Sequence, residues 1–301
     1  MAEEWETRRE QVRALVREVL GEEPDEVAHM DFGHQSLTYD VALPGRSLIV
    51  RTNDDLAAYR AMERNLATLA GLGLPVPRVL VADLSGAGVP FAWMVMTKIP
   101  GRDLRYELGS MTRPQMTRLA ERIAGFQRRV MALPVRGGFG YAPLDETGPF
   151  PTLWDFLHEG EAATRGVTEP RLAALIRARE DEWRRASPTC FLDDVTIKNV
   201  LVWDGELQGL VDFDFVCYGD PRFWLGLTAT VVVCDVGVER LFYVDELCRF
   251  LGWTGDDRRV VALYAAWVSL GFVRRHGAGE TEAWRARMAA ARERWLEEAE
   301  A

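Results

Sequence analysis

The sequence has few features of secreted, membrane-spanning or nucleic-acid-binding proteins. Only four of its 301 residues are cysteine and no CxxC pair occurs, so we expect reduced thiols in a cytoplasmic protein. No apolar run reaches the roughly 18 residues of a membrane span, and the charged N-terminus lacks an apolar signal segment. With 36 basic against 46 acidic residues, the net charge is -10, which argues against a nucleic-acid partner.

The order of the sequence patterns predicts an α+β chain with two lobes. A leading amphipathic helix is predicted at 4–20, β-forming residues dominate 27–52, and a helix follows at 54–71. With the strand-like runs "PVPRVLVAD" and "FAWMVMTKI", residues 1–99 form an N-terminal lobe with a small antiparallel sheet and one inserted helix. Residues 100–301 form a larger and mainly helical C-terminal lobe.

The patterns within the C-terminal lobe are less regular. Residues 136–151 are rich in Gly and Pro, which predicts a loop. Helices are expected near 152–163 and at 169–186.

The segment "NVLVWDGELQGLVDFD" is typical of a β-hairpin. Val200–Trp203 and Leu207–Val211 read as strands joined by the tight turn Asp204-Gly205. Antiparallel pairing then brings Asn199 close to Asp212 at the open end. An amide oxygen beside a carboxylate suits Mg²⁺, which completes its shell with water and phosphate.

Asp194 precedes Asn199 by five residues, on the segment that enters the hairpin. The spacing D-x4-N, then a strand pair, then D-F, matches the catalytic segment of protein kinases. A carboxylate near Mg²⁺ can orient and deprotonate an attacking hydroxyl. Each acid alone is more simply a turn or strand-end residue, but their joint spacing favours function. Asp193 and Asp214 remain ambiguous, and Asp220 is interpreted as a structural turn residue.

The chain resembles the aminoglycoside phosphotransferase family of the protein-kinase-like superfamily. The similarity lies in "LATLAGLGLPVPRVL", "WMVMTKIPGRDL", "LDDVTIKNVLV" and "GLVDFDFVCYGDP", and it extends over nearly the whole chain. It implies a nucleotide-binding N-terminal lobe and a C-terminal lobe with the catalytic hairpin, metal site and acceptor pocket. It also implies Mg²⁺-dependent transfer of the γ-phosphoryl group of ATP or GTP to a small-molecule hydroxyl, in a monomer or homodimer.

The resemblance assigns roles to individual residues. Asp194 would be the catalytic base, and Asn199 and Asp212 would hold Mg²⁺. In the N-terminal lobe, the loop "FGHQSLTY" would cover the phosphates, with Ser36 as a donor. The remaining nucleotide-binding positions would be Arg51 at the phosphates, Glu63 as the ion-pair partner of Arg51, Met96 behind the base, and the backbone of Thr97 and Ile99 at its edge.

Two positions depart from the family pattern. Leu192 stands where a His usually precedes the base, and Trp224 stands where relatives commonly have Asp. The missing His usually supports the loop rather than reacting, so we expect activity to survive. The alternative is a degenerate nucleotide-binding pseudokinase.

The acceptor is the least defined part of the prediction. An antibiotic, of aminoglycoside or macrolide type, is the leading expectation, and a role in antibiotic resistance would follow; a choline, homoserine or sugar-like metabolite is the alternative on the same fold. Acids could meet a polyamine, or aromatics could form an apolar wall, although ordinary helix-face and core roles are favoured for both sets. The acids are Asp155, Glu159 and Glu161; the aromatics are Trp154, Phe156, Trp224, Tyr264, Trp267 and Phe272.

Overall fold

A computed structural model describes residues 2–30, 36–56, 58–159 and 169–301. The chain divides into two compact units, Met1–Pro100 and Gly101–Ala301. Within the described ranges, no helix has both the length and the apolar character needed to cross a bilayer.

The described residues of the N-terminal unit form an antiparallel sheet and two helices. The helices are α1 (Ala2–Leu20) and α2 (Ala58–Gly71). The strands are β1 (Glu26–Met30), β2 (Leu37–Leu43), β3 (Arg46–Asn53), β4 (Val79–Asp83) and β5 (Ala92–Thr97). They lie in the order β1-β2-β3-β5-β4 with every neighbouring pair antiparallel, as the sequence predicted.

One face of this sheet packs against α1. Residues of β2 and β3 alternate between buried and partly exposed positions, because successive side chains of a strand point to opposite faces. Val12 and Val16 of α1 lie in one buried cluster with Tyr39 and Val50 of the sheet. The apolar stripe of the helix and the two-residue period of the strands therefore form a common core.

The C-terminal unit is mainly helical, with six short strands in its described ranges, 101–159 and 169–301. Its helices are α3 (Leu104–Glu107), α4 (Arg113–Met131), α5 (Leu153–Glu159), α6 (Pro170–Ala178), α7 (Glu180–Arg185), α8 (Arg222–Asp235), α9 (Phe242–Leu251), α10 (Asp256–His276) and α11 (Glu282–Glu300), with a 3₁₀ turn at Val238–Arg240. Its strands are β6 (Arg102–Asp103), β7 (Gly140–Ala142), β8 (Thr189–Phe191), β9 (Val200–Trp203), β10 (Glu206–Leu210) and β11 (Val216–Gly219). They form two three-stranded sheets, β10-β9-β6 and β7-β11-β8.

Helix α8 lies at the centre of this unit, with ten of its 14 residues buried. It packs closely on α10 because Gly226 has no side chain: a Cβ there would lie 2.5 Å from the Cβ of Tyr264. Helix α4 begins with a capping box, in which the Thr112 hydroxyl accepts from the Gln115 amide and the Gln115 side chain accepts from the Thr112 amide.

The structure confirms the α+β class and corrects three predicted boundaries. Residues 54–56 form bends and a turn rather than the start of a helix, and the described part of α2 begins at Ala58; the Asp54 carboxylate accepts from Arg8 at 2.7 Å. The helix predicted at 169–186 is divided at Arg179, whose ψ of 0° ends α6. The loop predicted at 136–151 contains β7, which pairs with β11.

Gly101 allows the start of the C-terminal unit to lie against the hairpin. Its φ is +110°, and a Cβ there would lie 2.6 Å from the carbonyl oxygen of Val202, because β6 pairs with β9. We expect Gly101→Ala to lower the free energy of unfolding by about 1–3 kcal/mol, measured by urea denaturation. The control is Gly125→Ala in α4, where no atom lies within 4 Å of the added Cβ. Equal stability of the two variants would contradict this account.

Candidate active site

The hairpin of β9 and β10 positions the acidic residues singled out from the sequence. Asp204 and Gly205 both have positive φ, 51° and 72°, as a two-residue type I′ turn requires. Leu210 pairs with Val200, and the Val211 amide then donates to the Asn199 carbonyl at 3.0 Å. Asn199 is therefore placed opposite the residue that precedes Asp212.

Asp194 and Asn199 are joined directly. The Asn199 side-chain nitrogen donates to the Asp194 carboxylate at 2.8 Å and to the Asp194 carbonyl at 3.0 Å. The Asn199 amide also donates to the Thr196 carbonyl at 3.2 Å, which closes the segment 194–199 into a tight loop. Because a carboxamide nitrogen only donates hydrogen bonds, the side-chain atom that Asn199 can offer to a cation is its oxygen; the bonds to Asp194 fix the orientation of this side chain.

Negative charge accumulates at this loop. Asp194 reaches the surface, yet protein atoms surround the rest of its carboxyl group. This partial burial, followed by the charge of Asp212, raises the pKa of Asp194 to about 6, while Asn199, Lys198 and Thr196 act in the opposite direction. The charge of Asp212 therefore acts on Asp194, and two carboxylates in one local field favour a cation.

Asp193 lies in a different environment from its neighbour. Burial, followed by the charge of Asp194, raises the pKa of Asp193 to about 7, and a hydrogen bond from Tyr141 opposes the rise. Two adjacent acids are thus separated into one on the surface side and one on the inner side of the loop.

The backbone at Asp212 is left-handed, with φ 70°. Among the described residues, only Asp204 and Asp212 combine a side chain with positive φ, a conformation that costs an L-residue roughly 1–2 kcal/mol. Asp204 lies in the hairpin turn, where this conformation is expected. At Asp212 it follows a strand end, and such strain is concentrated at functional sites.

A cavity of about 540 Å³ within the C-terminal unit is lined by two residues that contact the same loop. The Arg105 amide of α3 donates to the Ile197 carbonyl at 3.0 Å, and Lys198 forms an ion pair with Asp235 at 3.2 Å. Arg105 and Asp235 both line the cavity, together with residues at the start of α11. The lining carries acids, guanidinium groups and two aromatic rings: Asp235, Glu280, Arg105, Arg287, Tyr106 and Trp284.

The predicted phosphate-binding residues lie in the N-terminal unit. Arg51 on β3 contacts α2, where it donates to the Met62 sulfur at 3.6 Å and lies 5.6 Å from the centre of the Tyr59 ring. Glu63, also on α2, is exposed. The Ser36 hydroxyl accepts from the Asn53 side chain at 3.1 Å. The loop predicted over the phosphates spans 32–39; its residues 32–35 lie outside the described residues, and its residues 37–39 belong to β2.

The predicted base-binding residues are at the end of β5. Met96 is buried, with 5% of its surface exposed. The Thr97 amide donates to the Arg78 carbonyl at 2.9 Å, and the Arg78 amide donates to the Thr97 hydroxyl rather than to its carbonyl. The Thr97 backbone N–H is therefore already hydrogen-bonded to Arg78. Only the Thr97 carbonyl matches the predicted role of binding the edge of the base. Ile99 follows the strand and is half-buried.

Most residues considered for acceptor binding have structural roles. Phe156, Trp224, Tyr264 and Trp267 are all buried, which fits the core interpretation that the sequence favoured. Trp154 stacks on His158 at 3.7 Å, and Asp155 bonds the Thr152 hydroxyl at 2.6 Å. Glu161 lies outside the described residues.

Asp220 is buried in a network of its own. It accepts from the Arg222 guanidinium at 2.8 Å, from the Arg222 amide at 3.0 Å and from the Tyr264 hydroxyl at 3.1 Å. These bonds support its interpretation as a structural turn residue.

Sequence reasoning missed a residue that holds the loop from behind. Gln127 of α4 is 1% exposed and bonds the backbone of Leu192 in both directions. A signal was present, because position 127 falls within the buried face of α4, next to Phe126 and Val130. A polar side chain at such a position must find buried partners.

The oxygen set at the hairpin mouth fits Mg²⁺. In the part of the chain that the structure describes, no group of three or more His, Cys, Asp or Glu side chains is placed to hold a metal. An all-protein cage is therefore absent there, but Mg²⁺ is commonly held by one or two carboxylates with water and phosphate supplying the rest. The Asn199 oxygen and the Asp212 carboxylate match that pattern.

Comparison with known proteins identifies the fold. The model of the phosphotransferase enzyme family matches residues 30–264. No curated protein sequence matches the chain. Among solved structures, the aminoglycoside phosphotransferase APH(4)-Ia is similar over 95% of this chain and 98% of its own, with a TM-score of 0.66 at 14% identity.

Two further structures contain bound molecules. The ternary complex of a thermostable APH(4)-Ia mutant with AMP-PNP and hygromycin B has a TM-score of 0.64 at 15% identity, covering 94% of this chain and 98% of that one. The GDP and kanamycin complex of APH(2")-IIia has the same score and identity, covering 95% and 98%. At this identity they establish the aminoglycoside-kinase-like fold.

Proposed function

Because the chain belongs to the phosphotransferase enzyme family, we propose that it moves the γ-phosphoryl group of ATP or GTP to a hydroxyl of a small molecule. The observation that carries this proposal is the hydrogen bond between Asp194 and Asn199 within one loop, next to the hairpin end where Asp212 lies. This arrangement provides a base and two metal-binding oxygens within one short stretch of chain.

Asp194 is the proposed catalytic base. It orients the acceptor hydroxyl and accepts its proton as the oxygen attacks the γ-phosphorus. The new oxygen–phosphorus bond forms while the bond to the bridging oxygen breaks, and the nucleoside diphosphate leaves. The hydrogen bond from Asn199 fixes the carboxylate for this role.

Asn199 and Asp212 are the proposed Mg²⁺ ligands. When bound, Mg²⁺ neutralises charge on the nucleotide phosphates. The protein's contribution is the left-handed backbone of Asp212 and the two bonds that orient the Asn199 side chain.

The N-terminal unit supplies the proposed nucleotide contacts. Arg51 presents a fork of donors suited to phosphate oxygens, with Glu63 proposed as its partner and Ser36 as a further donor. Met96, the Thr97 carbonyl and the Ile99 backbone are proposed to meet the base.

An antibiotic of aminoglycoside or macrolide type is the proposed acceptor, and a resistance role follows from it. Support comes from the fold shared with structures that hold hygromycin B or kanamycin. The cavity lined by Arg105 and Asp235 is the proposed acceptor site, because these two residues contact the loop of Asp194 and the lining offers the acids Asp235 and Glu280. Its guanidinium groups give a specific reason to test a second class, metabolites that combine an alcohol with a carboxylate or phosphate.

A nucleotide-binding protein without catalysis is the second candidate, since Leu192 replaces the usual His.

A cytoplasmic location is proposed from the four free cysteines, of which Cys190, Cys217 and Cys248 are buried.

The test is Mg²⁺-dependent nucleotide consumption with ATP and with GTP. The acceptor panel contains aminoglycosides, macrolides, amino alcohols, and hydroxy acids and sugars. Consumption that requires one acceptor class supports the proposal and names the class. Tight nucleotide binding with no consumption across the panel favours the second candidate.

A further inference from the structure

The loop that carries Asp194 is held from below by a buried glutamine. The Leu192 amide donates to the Gln127 side-chain oxygen at 3.1 Å, and the Gln127 side-chain nitrogen donates to the Leu192 carbonyl at 2.6 Å. Gln127 is 1% exposed and Leu192 is 2% exposed. One amide group thus satisfies both backbone groups of a single residue, as a neighbouring strand would.

A second buried group holds the loop on the other side of Asp194. The Trp224 indole N–H donates to the Val195 carbonyl at 2.9 Å. Trp224 is 1% exposed and Val195 is 2% exposed. Gln127 belongs to α4 and Trp224 to α8, so the two bonds come from separate helices.

Together these contacts bracket the two acids. Leu192 lies two residues before Asp194 and Val195 lies one residue after it. Buried hydrogen bonds without access to water are costly to break, so the backbone between the two bonds has little freedom. An error of about 1 Å in the placement of a reacting group costs roughly 100-fold in rate.

We propose that Gln127 and Trp224 are positioning residues that fix the backbone of Asp194 for phosphoryl transfer. The proposal rests on the proposed function and adds two residues to it. It also gives a physical reason why the loop keeps its shape with Leu192, whose side chain cannot hydrogen-bond.

The primary variants remove the hydrogen bonds; Gln127→Met nearly keeps the side-chain volume, whereas Trp224→Phe keeps an aromatic ring but is smaller. Gln127→Met deletes both bonds to Leu192, and Trp224→Phe deletes the bond to Val195. The control is Thr230→Val in α8, which removes a buried hydroxyl that donates to backbone carbonyls, at 3.0 Å to Gly226 and 3.2 Å to Ala265. The control loses the same kind of bond without touching the loop.

The first readout is independent of turnover. We expect hydrogen–deuterium exchange in the segment 190–196 to be faster in Gln127→Met and Trp224→Phe than in the wild type or Thr230→Val. Unchanged exchange in both loop variants would overturn the proposal. This readout requires no acceptor. It therefore distinguishes failure of the proposed positioning role of Gln127 and Trp224 from failure of the proposed function.

The second readout is steady-state kinetics with the acceptor found in the panel. For each loop variant that folds, we expect kcat to fall about 10- to 100-fold, with nucleotide Kd and acceptor KM within about twofold of the wild type. A merely structural role predicts the same kcat loss in Thr230→Val at matched loss of Tm, and that result would overturn the proposal.

Discussion

Asp194→Asn is expected to reduce acceptor-dependent phosphoryl transfer by about 100- to 10,000-fold, the contribution typical of a positioned general base. The substitution keeps the size of the side chain and removes its capacity to accept a proton. Nucleotide affinity should stay near the wild-type value, because the proposed role of Asp194 is to meet the acceptor rather than the phosphates. Initial rates at saturating nucleotide and acceptor, together with a nucleotide-binding titration, measure the two quantities.

The comparison variant is Asp193→Asn. Asp193 adjoins Asp194 but lies on the inner side of the loop, where it accepts a hydrogen bond from Tyr141. Most of the turnover should survive in this variant. If Asp193→Asn abolished turnover and Asp194→Asn did not, the base would be Asp193 and the assignment of Asp194 would be wrong.

Asp212→Asn is expected to weaken Mg²⁺ binding and to remove most of the increase in nucleotide affinity that Mg²⁺ provides. Asn tolerates the left-handed backbone found at Asp212, with φ 70°, so the variant should fold. It keeps one oxygen ligand and loses the negative charge. We expect the Mg²⁺ concentration for half-maximal turnover to rise by at least about 10-fold, measured by titrating Mg²⁺ at fixed nucleotide.

The same hairpin provides the control. Asp204 also has positive φ, 51°, and lies in the turn at the far end from Asp212. Asp204→Asn makes the same chemical change in a similar backbone conformation, and its Mg²⁺ dependence should match the wild type. An equal shift in both variants would mean that the Mg²⁺ dependence of turnover follows the net charge of the hairpin rather than the loss of a metal ligand.

The parts of the fold with long, regular patterns could be predicted from sequence. Strands β2 and β3 alternate over seven and eight residues, and Asp204-Gly205 marks the turn of the hairpin of β9 and β10. Two short strands outside this hairpin could not be predicted. Strand β7 has three residues and contains Gly140, while β11 is buried at all four positions, so neither shows a period of two.

The same distinction applies to the candidate site. Asp194 and Asn199 are five residues apart, and a hairpin of known turn brings the residue before Asp212 opposite Asn199, so local rules predict their proximity. Gln127 and Leu192 are 65 positions apart, and Val195 and Trp224 are 29 apart. Such contacts depend on how α4 and α8 pack, which no local pattern encodes.

The most direct test of the central claim locates the metal–nucleotide complex on the protein. Mn²⁺ added with a non-hydrolysable ATP or GTP analogue broadens NMR signals of nearby residues. The account predicts early loss of the Asn199 and Asp212 signals in the wild type and retention of the Asn199 signal in Asp212→Asn. Broadening that spares both residues while nucleotide is bound would contradict it.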